Sequence, residues 1–231
     1  MNTALAIAFD NPQCYAEIAC LQDKLVVARQ QDLIPDVVLI LEHKPVVTLG
    51  VRAKQEHLLL SSDTLRQRGI DVEESPRGGD VTYHAPGQLV LYPILKLSGL
   101  DADAHTYVNR LEEVAIRTAT HYGITANRRS GKTGVWTETG KLAAIGVKIR
   151  RWVTSHGMSL NVDMDMTGFN LIIPCGLHGE PVTSMKTILG ESCPAIPDVR
   201  AVILQELATL ACRQLTQTDF KSFINEYPSA F

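Results

Sequence analysis

Apolar and polar residues recur along the chain with two different periods, which together predict an α+β fold. Apolar positions at helical spacing predict helices over residues 11–31, 102–122 and 197–215. Short runs rich in valine, isoleucine and leucine predict strands at residues 37–41, 46–49, 70–73, 80–84, 88–93, 135–136, 142–149, 152–153 and 157–162. Because the strands cluster between a few long helices, we expect a mixed, largely antiparallel β-sheet packed with helices.

The connections predict a single domain over residues 1–231, since no repeat, low-complexity tract or long linker interrupts the pattern. Asp10 or Asn11 can cap the first helix, and Gly123 can end the second. Only residues 42–45 separate the strands 37–41 and 46–49, which indicates that these strands are neighbours in one sheet.

Charge and hydropathy narrow the classes of function. The 231 residues include 22 Lys and Arg against 25 Asp and Glu, a formal net charge of −3, so the chain lacks the basic surface that wraps duplex nucleic acid. Its longest apolar runs are too short for the ~30 Å hydrocarbon core of a bilayer, and its N-terminus lacks the basic region of a secretory signal. We therefore expect a cytoplasmic protein with no membrane-spanning segment and no nucleic-acid partner.

The five cysteines are scattered and odd in number, which predicts reduced thiols. Four cysteines have an ordinary structural explanation. Cys193 lies in a predicted loop, and three fall in predicted helices where a small apolar residue suits a core: Cys14, Cys20 and Cys212. Cys175 differs because it stands between Pro174 and Gly176 at the end of an apolar run, where a strand leaves the core. This position alone is compatible with either a buried loop cysteine or a catalytic thiol.

Two common binding motifs, an ATP-binding loop and a zinc site, are each only partly matched by the sequence. Gly131-Lys132-Thr133 resembles the end of an ATP-binding loop, but that pattern requires glycine at the position of Ala126. Cys175 and His178 have the spacing of half a zinc site, yet no second Cys/His pair completes four ligands. We therefore expect neither a nucleotide site nor a metal site.

Five motifs in one order resemble the lipoyl(octanoyl) transferase family, over roughly residues 41–185. The motifs are Leu41-Glu42-His43 with Pro45 and Thr48-Leu49-Gly50; Arg77 to His84 followed by Pro86-Gly87-Gln88-Leu89; Gly140 to Gly146; His156-Gly157 with Leu160-Asn161; and Pro174-Cys175-Gly176 running into Val182-Thr183-Ser184-Met185. One departure is Ala85, where the family usually has glycine; alanine costs little there unless the turn requires positive φ. The resemblance implies the fold of lipoate-protein ligases and of the biotin-protein ligase catalytic domain.

The resemblance also implies an acyltransferase that performs the first step of endogenous protein lipoylation. Such enzymes take an octanoyl group from octanoyl-acyl carrier protein, hold it as a cysteine thioester, and place it on a lysine of a lipoyl domain. Acceptors of this kind are the acyltransferase subunits of 2-oxoacid dehydrogenases and the glycine cleavage H protein. No cofactor is implied, because the donor thioester already supplies the driving force, and we expect a monomer.

Site residues follow from the same resemblance. Cys175 is the implied acyl carrier and Lys141 its partner, either as an ammonium that stabilises the thiolate or as a neutral amine that accepts the thiol proton. Taken by itself, Lys141 fits better as an exposed lysine of a hairpin after Gly140, and only the accompanying motifs favour a catalytic role. The implied acyl pocket comprises Arg77, Gly78, Gly79, Asp80, Val81, Thr82, Tyr83, His84, Ala144, Ile145, Gly146, Gly157, Met158 and Ser159.

Roles within this pocket are left with alternatives. The amides of Gly78 and Gly79 can meet the acyl carbonyl oxygen, or the two glycines can belong to a bulged strand. His84 can orient that carbonyl or hydrogen-bond within the turn before Pro86. Two further residues are expected to support the loops of the site, Asn161 and Thr183.

Local charge adds one expectation to an acidic chain. Two basic clusters can attract acidic protein partners or can be solvated faces: Arg128, Arg129 and Lys132, and Lys148, Arg150 and Arg151. Three rival functions also fit parts of the pattern, namely an ATP-dependent lipoate ligase, a non-catalytic acyl- or lipoyl-domain-binding module, and a cysteine hydrolase.

Overall fold

A computed structural model of the chain describes residues 2–98, 103–174, 179–211 and 213–231. Within these ranges the strands are β1 (Asn2–Ala8), β2 (Asp36–Leu41), β3 (Val46–Leu49), β4 (Asp71–Glu74), β5 (Val81–His84), β6 (Gln88–Ile94), β7 (Asn127–Arg129), β8 (Lys132–Thr137), β9 (Gly140–Arg150), β10 (Val153–Asn161) and β11 (Arg213–Thr218). The helices are α1 (Tyr15–Gln30), α2 (Ser62–Gln67), α3 (Ala104–His121), α4 (Met185–Leu189), α5 (Ile196–Ala211) and α6 (Phe220–Glu226).

The larger sheet has the strand order β11-β1-β2-β6-β10-β9-β8-β7 among the described residues. β1 lies parallel to both β2 and β11, and each other neighbouring pair in this sheet is antiparallel. The predicted mixed, largely antiparallel sheet packed with helices is therefore confirmed.

Strand β2 lies in the middle of two hydrophobic layers. Every residue of Asp36–Leu41 is buried, because one face packs towards α3 and α5 and the other towards α1 and α6. Full burial of each Val, Leu or Ile side chain contributes about 1.5–3 kcal/mol relative to exposure, so this apolar run anchors the sheet.

A smaller sheet, β4-β3-β5, carries one wall of the site. The prediction that strands 37–41 and 46–49 are neighbours is wrong, because β2 belongs to the larger sheet and β3 to the smaller one. The link between them contains buried His43, which pairs with Gln13 instead of forming a hairpin turn.

Other predicted boundaries also need correction. Helix α1 begins at Tyr15, because Gln13 is extended and bonded to the 42–44 link, so neither Asp10 nor Asn11 caps the helix. The last long helix ends at Ala211, and residues predicted to continue it form β11. Residue 102, the predicted start of the second long helix, lies outside the described residues, and α3 is capped by Asp103.

Strand β1 was not predicted, and it creates the parallel unit β1-α1-β2 next to a second parallel pairing with β11, at one end of the larger sheet.

The structure also corrects the predicted surroundings of the cysteines. Cys20 is exposed and Cys14 half-buried at the start of α1, so neither fills the core as predicted, while Cys193 is half-buried in a loop. Cys212 lies outside the described residues. Across the part of the chain that the structure describes, no helix is long and apolar enough to cross a membrane.

Candidate active site

An apolar-walled cavity lies between the β9–β10 hairpin and the segment 77–84 that leads into and forms β5. The cavity is narrow in this structure, with a volume of about 40 Å³. The structure brings most of the predicted pocket residues to this cavity: Arg77, Gly79, Asp80, Thr82, His84, Ala144, Ile145, Gly146, Gly157, Met158 and Ser159. Three residues that were not among the implied pocket residues complete its lining: Val90, Tyr92 and His156.

Two predicted pocket residues lie on the other face of β5. Side chains alternate along a strand, so Thr82 and His84 reach the cavity while Val81 and Tyr83 pack into the hydrophobic cluster of the smaller sheet. The Tyr83 ring meets Phe169 edge-on at 5.7 Å between centroids. Val81 and Tyr83 therefore support the wall from behind.

The Arg77 guanidinium holds the cavity wall in place. It is buried, and its Nη2 donates to the carbonyl oxygens of Thr48 at 2.7 Å and Asp80 at 2.7 Å. The next amide, that of Gly78, donates to the Val147 carbonyl at 2.9 Å. The Gly78 amide is therefore bonded within the protein in this structure, whereas Gly79 lines the cavity.

Lys141 is brought to the cavity face of β9 by a β-bulge. Val135 pairs with Ala143 but Trp136 pairs with Lys141, so one step on β8 corresponds to two on β9. Leu142 and Ala143 both pack into the core cluster beneath α3 and α5, which leaves Lys141 on the opposite face. Its side chain is only 7% exposed, so the alternative of an exposed hairpin lysine does not hold.

Two residues of β8 shape the space that Lys141 occupies, and the sequence analysis missed both. The Lys141 Nζ lies 5.4 Å from the centroid of the Trp136 ring. Gly134, at φ +125°, lies beneath the lysine side chain, and a Cβ added there would stand 2.5 Å from Lys141 Cε. Glycine is therefore required at this position, both because the backbone φ is positive and because a side chain would clash with Lys141.

Cys175 lies outside the described residues, but the chain is anchored before and after it. On the N-terminal side, the Ile173 amide donates to the His57 carbonyl at 2.8 Å, and the Leu59 amide donates to the Leu171 carbonyl at 3.0 Å. These bonds hold residues 171–173 against the segment 57–59.

Residues on the C-terminal side of Cys175 pair with Lys141 itself. The Lys141 amide donates to the Pro181 carbonyl at 2.9 Å, and the Thr183 amide donates to the Lys141 carbonyl at 3.0 Å. Glu180 receives ion pairs from Arg129, at 3.1 Å, and from Lys132. These cations hold the pKa of the Glu180 carboxyl below its usual value. Anchored residues thus flank Cys175, and those that follow it lie beside Lys141.

A chain of side-chain hydrogen bonds connects the cavity wall to Thr183, on the C-terminal side of Cys175. His84 Nδ1 lies 2.6 Å from Gln88 Oε1, and Gln88 Nε2 donates to Asn161 Oδ1 at 2.8 Å. Asn161 Nδ2 donates to the Thr183 carbonyl at 2.9 Å. Of the two alternatives for His84, the geometry favours the bond within the turn, and Asn161 and Thr183 join the two loops. Ala85 is not among the residues with positive φ, so alanine suits this turn.

Three histidines around the cavity are held neutral. Burial lowers the pKa of His43 to about 4, that of His84 to about 3 and that of His156 to about 4, with the positive charge of Arg77 adding to the effect on the last two. Neutral imidazoles keep this region compatible with an uncharged hydrocarbon ligand.

The pair of His57 and Asp80 links the cavity wall to the chain segment that precedes Cys175. His57 Nδ1 lies 2.7 Å from Asp80 Oδ2, and both side chains are nearly buried, at 7% and 11% exposure. Asp80 lines the cavity, and the His57 carbonyl accepts from Ile173. Sequence reasoning could not have found this pair, since the two residues lie on different loops.

The two predicted basic clusters differ. Arg128 pairs with Glu112 and Glu113, at 3.0 Å each, while Arg129 and Lys132 pair with Glu180. The first cluster is therefore compensated by the protein's own carboxylates. The second shows no ion pair within the described ranges: Lys148, Arg150 and Arg151.

Gly131 lies in the turn between β7 and β8, and Lys132 and Thr133 begin β8, where Lys132 pairs with Glu180. Across residues 2–98, 103–174, 179–211 and 213–231, no group of three or more His, Cys, Asp or Glu side chains could hold a metal ion.

Comparison with known proteins places this architecture in one class. The model of the lipoyl protein ligase A/B catalytic domain matches residues 14–208. A crystal structure of lipoate-protein ligase A bound with ATP has a TM-score of 0.78 at 13% identity, covering 98% of this chain and 94% of that one. A bipartite lipoate protein ligase from Thermoplasma acidophilum, described with its E2 lipoyl domain, has a TM-score of 0.70 at 14% identity and covers 98% of this chain and 91% of that one. These likenesses establish the fold.

Sequence relatives define the family more narrowly. The octanoyltransferase of Chloroflexus aurantiacus is 46% identical over 190 residues, covering 81% of this chain and 85% of the relative. The octanoyltransferase of Koribacter versatilis is 46% identical over 206 residues, covering 87% and 82%. The chain belongs to the octanoyltransferases of the lipoyl protein ligase A/B catalytic-domain family and is an acyltransferase enzyme.

Proposed function

We propose that this enzyme transfers an octanoyl group from octanoyl-acyl carrier protein to a lysine of lipoyl domains, through a thioester on Cys175. The acceptors are the acyltransferase subunits of 2-oxoacid dehydrogenases and the glycine cleavage H protein. The observation that carries the proposal is the placement of Lys141, whose backbone pairs with the residues that follow Cys175 while its side chain lies on the cavity face of β9.

In the first half-reaction the Cys175 sulfur attacks the donor thioester carbonyl. A new sulfur–carbon bond forms, the bond to the carrier thiol breaks, and the carrier thiolate takes up a proton. Lys141 is the group that accepts the Cys175 proton and returns it to the leaving thiolate. Free cysteine has a pKa near ~8.5, so a nearby group that removes or compensates its proton accelerates attack.

In the second half-reaction the acceptor lysine, as a neutral amine, attacks the Cys175 thioester. An amide bond forms, the sulfur leaves as a thiolate, and Lys141 accepts the proton that the amine nitrogen loses. The product amide is more stable than the thioester, so no nucleotide takes part. During both steps the alkyl chain lies in the cavity beside Ala144, Ile145 and Met158, and the cavity widens from about 40 Å³ to admit it.

Intact mass spectrometry tests the covalent step. Wild-type enzyme incubated with octanoyl-acyl carrier protein alone is expected to gain one octanoyl group, mapped by peptide digestion to Cys175. Cys175→Ser should gain none, whereas Cys20→Ser is the matched control, because Cys20 is an exposed thiol outside the site. An adduct that persists in Cys175→Ser, or full transfer by that variant, would show that the covalent intermediate is wrong.

Acceptor assays separate the rival functions. With donor and a lipoyl domain present, the octanoyl group is expected on the domain lysine and not in free octanoate. Product from free octanoate plus ATP would indicate a ligase, and release to water would indicate a hydrolase. Binding without turnover would indicate a non-catalytic module.

A further inference from the structure

A buried carboxylate lies on α3, outside the cavity. Glu112 is 5% exposed and is buried alongside core residues of the same helix, such as Leu111 and Ala115. It is not among the described residues that line the cavity. Glutamate is seldom buried unless its charge is paired or hydrogen-bonded, because a carboxylate loses its hydration on leaving water. The partners of Glu112 therefore indicate what this carboxylate does.

Each oxygen of this carboxylate has its own partner. Glu112 Oε1 accepts from the Gly134 amide at 2.9 Å, and Glu112 Oε2 accepts from Arg128 Nε at 3.0 Å. Arg128 is fixed in turn, since its Nη2 donates to the Asn109 carbonyl at 2.7 Å and to Glu113 Oε2 at 3.0 Å. The guanidinium therefore orients Glu112, whose other oxygen is directed at the backbone of β8.

The Gly134 amide depends on this carboxylate. A backbone amide has one hydrogen to donate, and Gly134 donates it to Glu112 from a buried position where its φ is +125°. A buried amide without a partner is costly, so a strand that loses such a bond moves until the amide finds another acceptor or water. Loss of the carboxylate is therefore expected to shift β8 at Gly134.

Gly134 is also the residue beneath the Lys141 side chain. A Cβ added to the glycine would stand 2.5 Å from Lys141 Cε and 3.2 Å from Lys141 Nζ, so the glycine and the lysine side chain are packed together. Closely packed groups transmit small shifts, and displacement of the glycine therefore changes the position of the amine. A single residue thus connects Glu112 to Lys141.

We propose that Glu112 is a positioning residue for Lys141 and acts through the Gly134 amide. The carboxylate holds the glycine, the glycine fixes the space beneath the lysine side chain, and the amine is thereby kept on the cavity face of β9. The inference rests on the proposed function, because it gives the proton acceptor of that function a fixed position. In this role Glu112 exchanges no proton with the substrate.

Single-turnover acylation tests the consequence for catalysis. Glu112→Ala is expected to lower the rate of octanoyl transfer to Cys175 by about tenfold or more, because it leaves the Gly134 amide without its acceptor. The half-saturating concentration of octanoyl-acyl carrier protein should change by less than about twofold, since Glu112 does not line the described cavity. Glu112→Gln keeps a carbonyl oxygen for the Gly134 amide and should restore most of the rate.

Glu113→Ala is the matched control. Glu113 is the next residue of α3 and pairs with the same Arg128 at 3.0 Å, whereas the Gly134 amide donates to Glu112. Its removal should change the acylation rate by less than about twofold. Thermal unfolding of each variant shows that the compared proteins are folded. Equal losses of rate in Glu112→Ala and Glu113→Ala would overturn the proposal, because they would trace the effect to Arg128.

Combination with Lys141→Ala distinguishes positioning from general stabilisation. If Glu112 acts through the lysine, Glu112→Ala has no further effect on acylation once the lysine side chain is absent. A carboxylate that only stabilises the fold would lower the rate by the same factor in both backgrounds. A further loss of about tenfold in the Lys141→Ala protein would therefore contradict the positioning role.

Chemical labelling follows the lysine without any transfer from the carrier protein. Brief treatment with acetic anhydride, followed by peptide mass spectrometry, measures how fast the Lys141 amine is acetylated relative to the exposed Lys24. Lys141 is 7% exposed, so its labelling should be slow in the wild-type protein and about fivefold or more faster in Glu112→Ala. Glu112→Gln and Glu113→Ala should label like the wild type.

The labelling result separates the positioning role from the proposed function. If Lys141 is acetylated at the same rate in Glu112→Ala as in the wild type, Glu112 does not position the lysine. If labelling accelerates as expected while the wild-type enzyme forms no octanoyl thioester on Cys175, the positioning role stands and the proposed function fails.

Discussion

The side chain of Lys141 crosses β8 at the one point where Gly134 supplies no Cβ. An added methyl would lie 2.5 Å from Lys141 Cε and 2.7 Å from the Ala143 carbonyl oxygen, so either the lysine or the strand has to move. The position of the proposed proton acceptor therefore depends on a glycine of the neighbouring strand.

Gly134→Ala is expected to lower the rate of Cys175 acylation by at least tenfold, because it displaces Lys141. Gly131→Ala is the control on the same hairpin: its φ of +74° is also positive, although less strained for alanine than +125°, and no atom lies within 4 Å of the added Cβ. Single-turnover acylation, measured beside thermal unfolding, checks this. Equal losses of rate in the two variants would mean that strain and not crowding is responsible.

Glu180→Gln is expected to slow acylation about two- to tenfold. It removes the ion pairs with Arg129 and Lys132 that hold the chain after Cys175, and exposed pairs are worth about 0.2–1 kcal/mol each. The wild-type rate should also fall with added salt while the variant rate does not. Glu191→Gln breaks an exposed pair with Lys186 elsewhere and should have no effect; a similar loss there would contradict the anchoring role.

The His57–Asp80 pair is expected to couple the cavity wall to the anchor before Cys175. A double-mutant cycle of His57→Gln and Asp80→Asn, read out as acylation rate, should give a coupling energy of about 0.5–3 kcal/mol. The comparison cycle uses the exposed pair of Arg66 and Asp63, at 55% and 90% exposure, where coupling should be near zero. Additive effects of His57→Gln and Asp80→Asn would show that the pair does not couple the wall to the anchor.

Stability should fall as pH falls below ~6.5, because three histidines are buried in the neutral form. The unfolded chain binds their protons near ~6.5, whereas the folded-state pKa values are about 4 for His43, about 3 for His84 and about 4 for His156. The unfolded state therefore holds more protons in this window, and each histidine costs up to about 1.4 kcal/mol per pH unit.

Urea unfolding between pH 6.5 and 5, above the range where most carboxylates titrate, checks this slope. His43→Gln should flatten the slope by nearly one proton, even though the variant is less stable at every pH. The exposed His105 provides the control, and His105→Gln should leave the slope unchanged. A flat profile in the wild-type protein would show that these histidines are not buried in the neutral form.

The fold class could be predicted from local patterns. The edge strand β11 and the division into two sheets could not. The run Val37–Leu41 identified a central strand because its side chains are buried on both faces. Strand β11 was not predicted, because Arg213–Thr218 is mostly polar and is held by backbone pairing to β1, which no side-chain pattern records. The split between β2 and β3 was missed for a similar reason: the 42–45 link resembles a turn and instead passes between sheets.

The candidate site shows the same division. Motif residues that follow each other in sequence, such as Ala144 to Gly146, could be assigned to one wall, although strand alternation separates Val81 and Tyr83 from Thr82 and His84. Gly134, His57 and Glu180 could not be found, since their roles arise from contacts across strands and loops that are distant in sequence.

The backbone pairing of Lys141 with Pro181 and Thr183 has an evolutionary consequence. Amide and carbonyl groups are the same in nearly all amino acids, so these two bonds depend little on which side chains occupy residues 181–183. Pro181 is exposed whereas Thr183 is buried, so substitutions at residue 181 can change the surface of this segment while the register between the lysine and the chain after the thiol is kept.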